Sequence, residues 1–323
     1  MSERDEFEIA GIAVRPGGRV QTEIPIGRLM SGTPVAIPVV VLHGETDGPV
    51  VWINAASHGD EINGIEIVRR VLESLDARGL GGTLIAVPIL NVHGFNTGDR
   101  YLPDRRDLNR SFPGSPRGSL ASRIANLMMT QVVERADVGI DLHTGSDHRA
   151  NLPQIRGNLD DERTLEFAEL FGAPIAIHSK NRDGSLRGAA TKLGKTCLLF
   201  EGGEAYRFDQ DSIAVGTDGV LRVMHRLGMI DEIVPPAAPP RIARSSRWVR
   251  ASSSGIVDCR LALGDEVEKG QPVAILRDPF GTQLGVLKAP RTGMLVGRLQ
   301  HPLVNRGDAI LHIAALEDPD ATR

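Results

Sequence analysis

The alternation of hydrophobic and polar positions changes rhythm twice along the chain. Residues 7 to 45 alternate apolar and polar side chains between Gly and Pro punctuation, as in Arg19-Val20-Gln21-Thr22-Glu23-Ile24-Pro25-Ile26, a pattern that predicts β-strands in hairpins. After the turn Glu45-Thr46-Asp47-Gly48-Pro49, short apolar runs alternate with longer amphipathic stretches of helical period. The spacing predicts strands over 50–56, 83–90, 138–142, 174–178 and 196–200. Between and after them it predicts helices over 61–78, about 119–135, 161–171, 186–194 and about 209–228. Strand and helix in alternation make an α/β fold with a mostly parallel, helix-covered sheet. At Val234-Pro235-Pro236-Ala237-Ala238-Pro239-Pro240 the helical period disappears into a stiff polyproline-type linker. The expected division is therefore an α/β domain over 1–234 with N-terminal hairpin strands, a Pro-rich linker over 235–241 and a β domain over 242–323.

The last segment repeats one pattern. Ser254-Gly255-Ile256-Val257-Asp258-Cys259-Arg260-Leu261 and Thr292-Gly293-Met294-Leu295-Val296-Gly297-Arg298-Leu299 are each followed by a Gly-led turn, at Gly270 and Gly307, and then by an apolar strand. This resembles the barrel-sandwich fold of biotinyl and lipoyl carrier domains. A carrier presents a lysine at the hairpin between its halves. Here Arg277-Asp278-Pro279-Phe280-Gly281-Thr282 has none, and Lys288 lies further on beside Ala289-Pro290. The segment is accordingly read as a structural cover or an element for homo-oligomer assembly.

Composition narrows the classes. With 41% hydrophobic and 24% charged residues the chain can bury a sizeable core. Its 37 basic and 41 acidic residues leave a formal charge of −4 and no basic tract, so neither nucleic acid nor an anionic membrane finds electrostatic support as a partner. Cys197 and Cys259 fall in different predicted domains and make no disulfide framework. The N-terminus Met1-Ser2-Glu3-Arg4-Asp5-Glu6 is charged, and no apolar run reaches the roughly 18 residues of a membrane span, so the expectation is a cytoplasmic protein.

Candidate chemistry begins at Ser57-His58-Gly59-Asp60-Glu61, directly after the strand-like run Val50-Val51-Trp52-Ile53-Asn54-Ala55-Ala56. A His-x-x-Glu pair entering a helix can turn an imidazole and a carboxylate toward one point, and zinc accepts both while keeping room for a water. The plainer reading is a helix start capped by Asp60 or Glu61. A second run, Val138-Gly139-Ile140-Asp141-Leu142-His143-Thr144-Gly145, puts another imidazole at a strand end. Parallel sheets align such ends, so His58, Glu61 and His143 can converge as the three protein ligands of a catalytic zinc site. His93 and His178 also follow predicted strands and are rivals for the third position. His143 is preferred because Asp141, Thr144 and Gly145 make its surroundings polar, whereas His93 lies in a Gly/Asn turn without a carboxylate beside it.

Two further blocks complete an ordered set. Arg100-Tyr101 leads to Asp107-Leu108-Asn109-Arg110-Ser111-Phe112-Pro113-Gly114, and Cys197-Leu198-Leu199-Phe200-Glu201-Gly202-Gly203-Glu204 follows after Asp141-Leu142-His143. In this order, from about residue 50 to 205, the chain resembles the succinylglutamate desuccinylase/aspartoacylase family of zinc deacylases, relatives of the zinc carboxypeptidases. The resemblance implies a zinc-peptidase-like sheet and one Zn2+ per subunit on His58, Glu61 and His143. It implies Glu201 as the general base, with Glu204 its rival, and Asn109 with Arg110 as the grip on a substrate carboxylate. Arg100 would stabilise the oxyanion. The loop from Arg100 to Asn109 is longer than the aspartoacylase-like spacing, which keeps Arg105 and Arg106 open for that role, and Asp107 is read as fixing the loop.

The implied activity is removal of an acyl group from an N-acyl amino acid or related small N-acyl amine by zinc-activated water, the partner being a small N-acylated substrate that bears a carboxylate. A carboxypeptidase or murein-peptide type of zinc peptidase, and a non-catalytic metal-binding protein, are the alternatives. Selectivity is assigned to loops such as 144–158 and 180–188 and to side chains from the C-terminal segment.

Overall fold

The computed structural model describes residues 4–146, 148–231, 235 and 238–317. Part of the predicted linker, Val234, Pro236 and Ala237, lies outside the described residues. The chain opens with a small hairpin, β1 (Phe7–Ile9) and β2 (Ile12–Val14), and a long one, β3 (Gly18–Arg28) and β4 (Pro34–His43). It continues through β5 (Thr46–Ala55), α1 (Asn63–Ser74), β6 (Gly81–Val87), α2 (Val92–Thr97), α3 (Leu120–Gln131) and β7 (Val138–Gly145). Then come β8 (Arg149–Gly157), α4 (Glu162–Phe171), β9 (Ile175–His178), α5 (Leu186–Lys192), β10 (Thr196–Glu204) and α6 (Gln210–Arg226).

Every strand and helix expected between residues 50 and 228 is present, with shifted ends. The helix expected over 61–78 stops at Ser74, followed by the 3-10 turn Ala77–Gly79 that Asp76 caps. The strand expected over 196–200 runs on through Glu204.

The segment 144–158, expected as a loop, is mostly strand β8. It pairs with β10 along one edge, and along the other with β9 beside Gln154–Gly157 and with a C-terminal strand beside Arg149–Asn151. Leu152 and Pro153 stand opposite the single residue Gly202 in a bulge, where a proline costs the ladder no hydrogen bond. Pro153 in a run without strict alternation is what hid the strand from a local reading.

The main sheet has the order β13-β16-β18-β11-β9-β8-β10-β7-β5-β6-β4-β3, where β11 is Arg241–Arg250, β13 Glu266–Val267, β16 Gly293–Leu299 and β18 Ala309–Leu316. Its centre, β6-β5-β7-β10, is parallel, while β4 and β8 join antiparallel, so the sheet is mixed where a mostly parallel one was expected. Fully buried apolar residues line both faces. Leu198, Phe200 and Ile140 face α1, α4 and α6, whereas Trp52 and Ile85 face α3 and the hairpin strands. Gly139 exists for Trp52: the two are register partners, and a Cβ on residue 139 would lie 1.9 Å from the indole ring.

After the Pro-rich stretch the sheet continues. β11 runs parallel to β9, pairing Arg241, Ile242 and Ala243 with Ile175, Ala176 and Ile177. Because β16 pairs with the beginning of β8, the strands β8, β9, β11, β18 and β16 close on themselves around Ile175, Ile177, Ala243, Val296 and Ala314. A second sheet of β12 (Gly255–Asp258), β14 (Pro272–Arg277), β15 (Gln283–Lys288) and β17 (Leu303–Val304) shares an apolar core with this ring. Both cysteines are free, and among the described residues no helix is long and apolar enough to cross a membrane.

Candidate metal centre

Strand β5 ends at Ala55, and the chain turns through Ala56 in left-handed conformation (φ 49°) to present His58 before α1 begins. The cap of α1 is Ile62, without a side-chain hydrogen bond, so neither Asp60 nor Glu61 serves the helix end. Glu61 instead meets two imidazoles. Its Oε1 lies 2.7 Å from His58 Nδ1 and its Oε2 2.7 Å from His143 Nδ1, and the Thr144 backbone N–H donates to Oε2 at 3.1 Å. All three side chains are at least 95% buried, and their ligand atoms lie within 4.8 Å of one another.

Behind each ring stands a carboxylate. His58 Nε2 is 3.1 Å from Asp107 Oδ1, and His143 Nε2 is 3.0 Å from Asp141 Oδ2. The braces are themselves held: Asn54 Nδ2 donates to Asp141 Oδ1 at 2.6 Å, and Trp52 Nε1 donates to Asn54 Oδ1 at 3.0 Å. An imidazole whose Nε2–H faces a carboxylate turns its Nδ1 lone pair outward, as metal-binding histidines do. Nδ1 and a carboxylate oxygen 2.7 Å apart repel unless a positive ion lies between them. The donor set, its braces and its burial therefore fit a divalent metal on His58, Glu61 and His143.

Without a metal, protons take that place. Burial opposes charge on His143, yet Asp141 and Glu61 outweigh it and hold the ring well above its ordinary value; His58 is raised in the same way, against burial, by Glu61 and Asp107. Burial would raise Glu61, but the two imidazolium rings pull it well below the usual carboxylate range.

The loop from Arg100 to Gly114 wraps this centre. Asp107 accepts from Arg100 Nη2 at 3.1 Å and from the Asn109 backbone N–H at 2.8 Å, so it braces His58 and shapes the 3-10 turn Leu108–Arg110 together. Arg100 Nη1 reaches Glu61 Oε1 at 3.1 Å and Ser146 Oγ at 2.6 Å. Asn109 is 8% exposed, accepts from Leu186 N at 2.9 Å and turns its amide toward His143. Arg110 bonds the Asn109 carbonyl and reaches the adjoining cavity.

Glu201 is the register partner of His143 on the neighbouring strand, which places its carboxylate beside the centre. Asn151 Nδ2 donates to its Oε2 at 2.7 Å, and Arg156 Nε lies 3.4 Å from the same oxygen.

Glu61, His143, Arg100, Asn109, Arg110 and Glu201 share one cavity of about 530 Å³, whose far wall is C-terminal: Trp248, Arg250 and Gly307 to Ala309. The rivals lie off this cavity. His93 sits on α2, His178 ends β9 at 3.8 Å from Asp160, Glu204 faces Arg207 at 3.7 Å, and Arg105 and Arg106 occupy an exposed turn.

Several wall residues escape a reading of the sequence alone. Arg149 and Arg156 belong to the unforeseen strand β8, and Trp248, stacked on His312 at 4.4 Å, to β11. Arg187 is 7% exposed; its Nη2 donates to Ser179 Oγ and the Lys180 carbonyl, while its Nη1 has no partner among the described residues. A lone arginine between Leu186 and Gly188-Ala189-Ala190 on a short apolar helix was the available signal. The wall is strongly cationic: Arg100, Arg110, Arg149, Arg156, Lys180, Arg182, Arg187 and Arg250 surround Glu61, Asp141, Glu201 and Asp308.

Fold and site together define an α/β protein with a carboxylate-braced His-Glu-His group that could hold a metal ion, at the carboxyl ends of its strands and under a cleft walled by a C-terminal β segment. Residues 47–227 match the succinylglutamate desuccinylase/aspartoacylase catalytic domain, and the chain belongs to that family. It is 33% identical over 297 residues to the N-alpha-acetyl-L-2,4-diaminobutyric acid deacetylase of Halomonas elongata, covering 87% of this chain and 86% of that protein. The solved structure of a succinylglutamate desuccinylase/aspartoacylase from Rhodobacter sphaeroides, 26% identical, superposes with a TM-score of 0.84 over 98% of this chain and 100% of that one. The product-bound ectoine utilization protein EutE (DoeB) from Ruegeria pomeroyi shares the fold at a TM-score of 0.86, with 23% identity and coverage of 97% and 100%.

Proposed function

We propose that the protein is a zinc-dependent deacylase that hydrolyses the amide of a small N-acyl amino acid carrying a free carboxylate. The observation behind this reading is the convergence, in one cavity, of the braced His58-Glu61-His143 set with Glu201 and a cationic wall. Zinc held by those three residues would supply a Lewis acid that acidifies a water and polarises the amide carbonyl. Glu201 takes the proton of that water as it adds to the carbonyl carbon and passes it to the nitrogen as the C–N bond breaks, releasing a carboxylate and an amine. Arg100, held at the edge of the centre by Glu61 and Asp107, stabilises the negative charge that develops on the carbonyl oxygen. Asn109 and Arg110 bind the substrate carboxylate.

A cavity of about 530 Å³ closed by the C-terminal wall suits a small molecule better than an extended peptide. The name of the Halomonas elongata relative, which specifies an N-acetylated diamino acid, supports testing N-acetyl amino acids first. The test is a panel of N-acetyl, N-succinyl and N-formyl amino acids incubated with the zinc-loaded protein, with release of free amine as the readout. At least one compound is expected to turn over, with activity removed by a chelator and restored by zinc. Turnover that survives removal of all metal would refute the reading.

A further inference from the structure

The hydrogen-bond register continues from the C-terminal wall to the strand that carries Glu201. Trp248 on β11 is paired with His312 on β18, His312 with Gly297 on β16, Gly297 with Asn151 on β8, and Asn151 with Gly203 on β10. Four of these five positions lie in strands of the closed ring, and the row ends two residues past Glu201. Asn151 stands where β8 is flanked by β10 on one side and β16 on the other. It is 7% exposed, and its amide nitrogen donates to Glu201 Oε2 at 2.7 Å.

The empty side of Gly297 makes this contact possible. A Cβ there would lie 2.9 Å from Asn151 Oδ1, 3.2 Å from His312 Cβ and 3.6 Å from the Trp248 ring. The stacked Trp248–His312 pair, its planes 4° apart, and the Asn151 amide thus meet over a residue with no side chain. That packing turns the Asn151 nitrogen toward Glu201. Among the described residues the hydrogen bond from Asn151 and the ion pair with Arg156 both fall on Oε2, which directs Oε1 as the face that exchanges protons.

We propose that Asn151 is a positioning residue for Glu201, and that strand β16, through Gly297, sets its orientation from the C-terminal segment. The inference rests on the reading of Glu201 as the proton-transfer group. A carboxylate anchored by one oxygen keeps the other aimed at the reacting atoms, so the anchor contributes to turnover and little to substrate affinity.

The test uses the full-length, zinc-loaded protein and the compound it turns over best. Asn151→Asp keeps the shape but has no N–H to donate, so kcat is expected to fall about 10- to 100-fold, as far as in Asn151→Ala, with KM within about 3-fold. Metal content and thermal midpoint verify that each variant is folded and loaded. Gly297→Ala, which leaves Asn151 in place but crowds it, is expected to lower kcat in the same sense by a smaller factor. In a Glu201→Gln background, Asn151→Ala is expected to have no further effect, which a merely structural role would not produce. Wild-type kcat in Asn151→Asp, or a full additional loss in the Glu201→Gln background, overturns the proposal while leaving Glu201 as the base. Wild-type turnover by Glu201→Gln overturns both.

Discussion

Asp141→Asn is the substitution whose cost can be followed atom by atom. The carboxylate is fully buried and accepts on one oxygen from Asn54 Nδ2 (2.6 Å) and Ser57 Oγ (3.4 Å), while the other faces His143 Nε2 at 3.0 Å. An asparagine fills the same volume with one donor and one acceptor. If its nitrogen faces Asn54, two N–H groups confront each other; Asn54 can rotate only by turning its oxygen away from Trp52 Nε1, which donates to it at 3.0 Å. If the nitrogen faces His143, the ring keeps its proton on Nδ1, the atom aimed at Glu61, and can no longer offer that lone pair to a metal. The first arrangement strands a buried donor, at roughly 1–3 kcal/mol of stability, while the second keeps these contacts, with the new amide nitrogen on His143 Nε2 and His143 Nδ1–H on Glu61, and gives up the metal-binding tautomer. Loss of a carboxylate brace also weakens metal binding about 10- to 100-fold, or about 1.4–2.7 kcal/mol. Zinc affinity should be measured by competition with a chromophoric chelator and stability by thermal unfolding of the metal-free protein. Unchanged affinity together with an unchanged midpoint would refute the bracing argument.

Glu201→Gln is expected to retain zinc and to lose turnover by a factor on the order of 10² to 10⁴, whereas Glu204→Gln, whose carboxylate faces Arg207, stays active; steady-state kinetics with metal analysis decide between them. Arg110→Lys is expected to raise KM more than it lowers kcat, since lysine keeps the charge and loses the planar fork, and to discriminate less than wild type against a substrate whose carboxylate is amidated; equal discrimination would direct attention elsewhere on the cationic wall. In the metal-free protein His143 has a folded-state pKa above its ordinary 6.5, because Asp141 and Glu61 outweigh burial. Its contribution to stability is therefore complete below about pH 6.5 and is lost as the pH rises through the folded value. The thermal midpoint of metal-free protein should fall over that range and that of zinc-loaded protein should not; a midpoint of the metal-free form that rises instead would contradict the proton network.

Much of the centre was legible because its strands are buried on both faces. Val50-Val51-Trp52-Ile53 and Val138-Gly139-Ile140 read as continuous apolar runs, and where such runs end in a parallel sheet the polar residues collect at one edge. Thus the convergence of His58, Glu61 and His143 followed from strand order, while the helix-cap alternative fell to a cap on Ile62 that bonds nothing. Strand β8 was not legible, because its start pairs with a strand more than a hundred residues away and its proline sits in a bulge that only the pairing with β10 reveals. The same holds for the cleft: Trp248, Arg250 and Asp308 enter it through ring closure, a long-range event without local periodicity. Asp107 looked like a loop-fixing residue and does shape its turn, but its contact with His58 depends on where the loop docks.

The closed ring bears on how the chain is made. One partner of β9 and one of the start of β8 come from residues 241–316, synthesised after His58, Glu61, His143 and Glu201. A nascent chain that has emerged only through α6 holds His58, Glu61 and His143 but leaves Ile175 and Ile177 at an open strand edge and the cleft without its far wall. Such an edge invites pairing with other chains, and its closure has to await a distant segment, the slowest kind of contact to form. Maturation of the protein is thus ordered: the His-Glu-His group first, a cleft with its far wall only when β16 and β18 have zipped onto β8 and β11, with chaperone protection most needed in the interval.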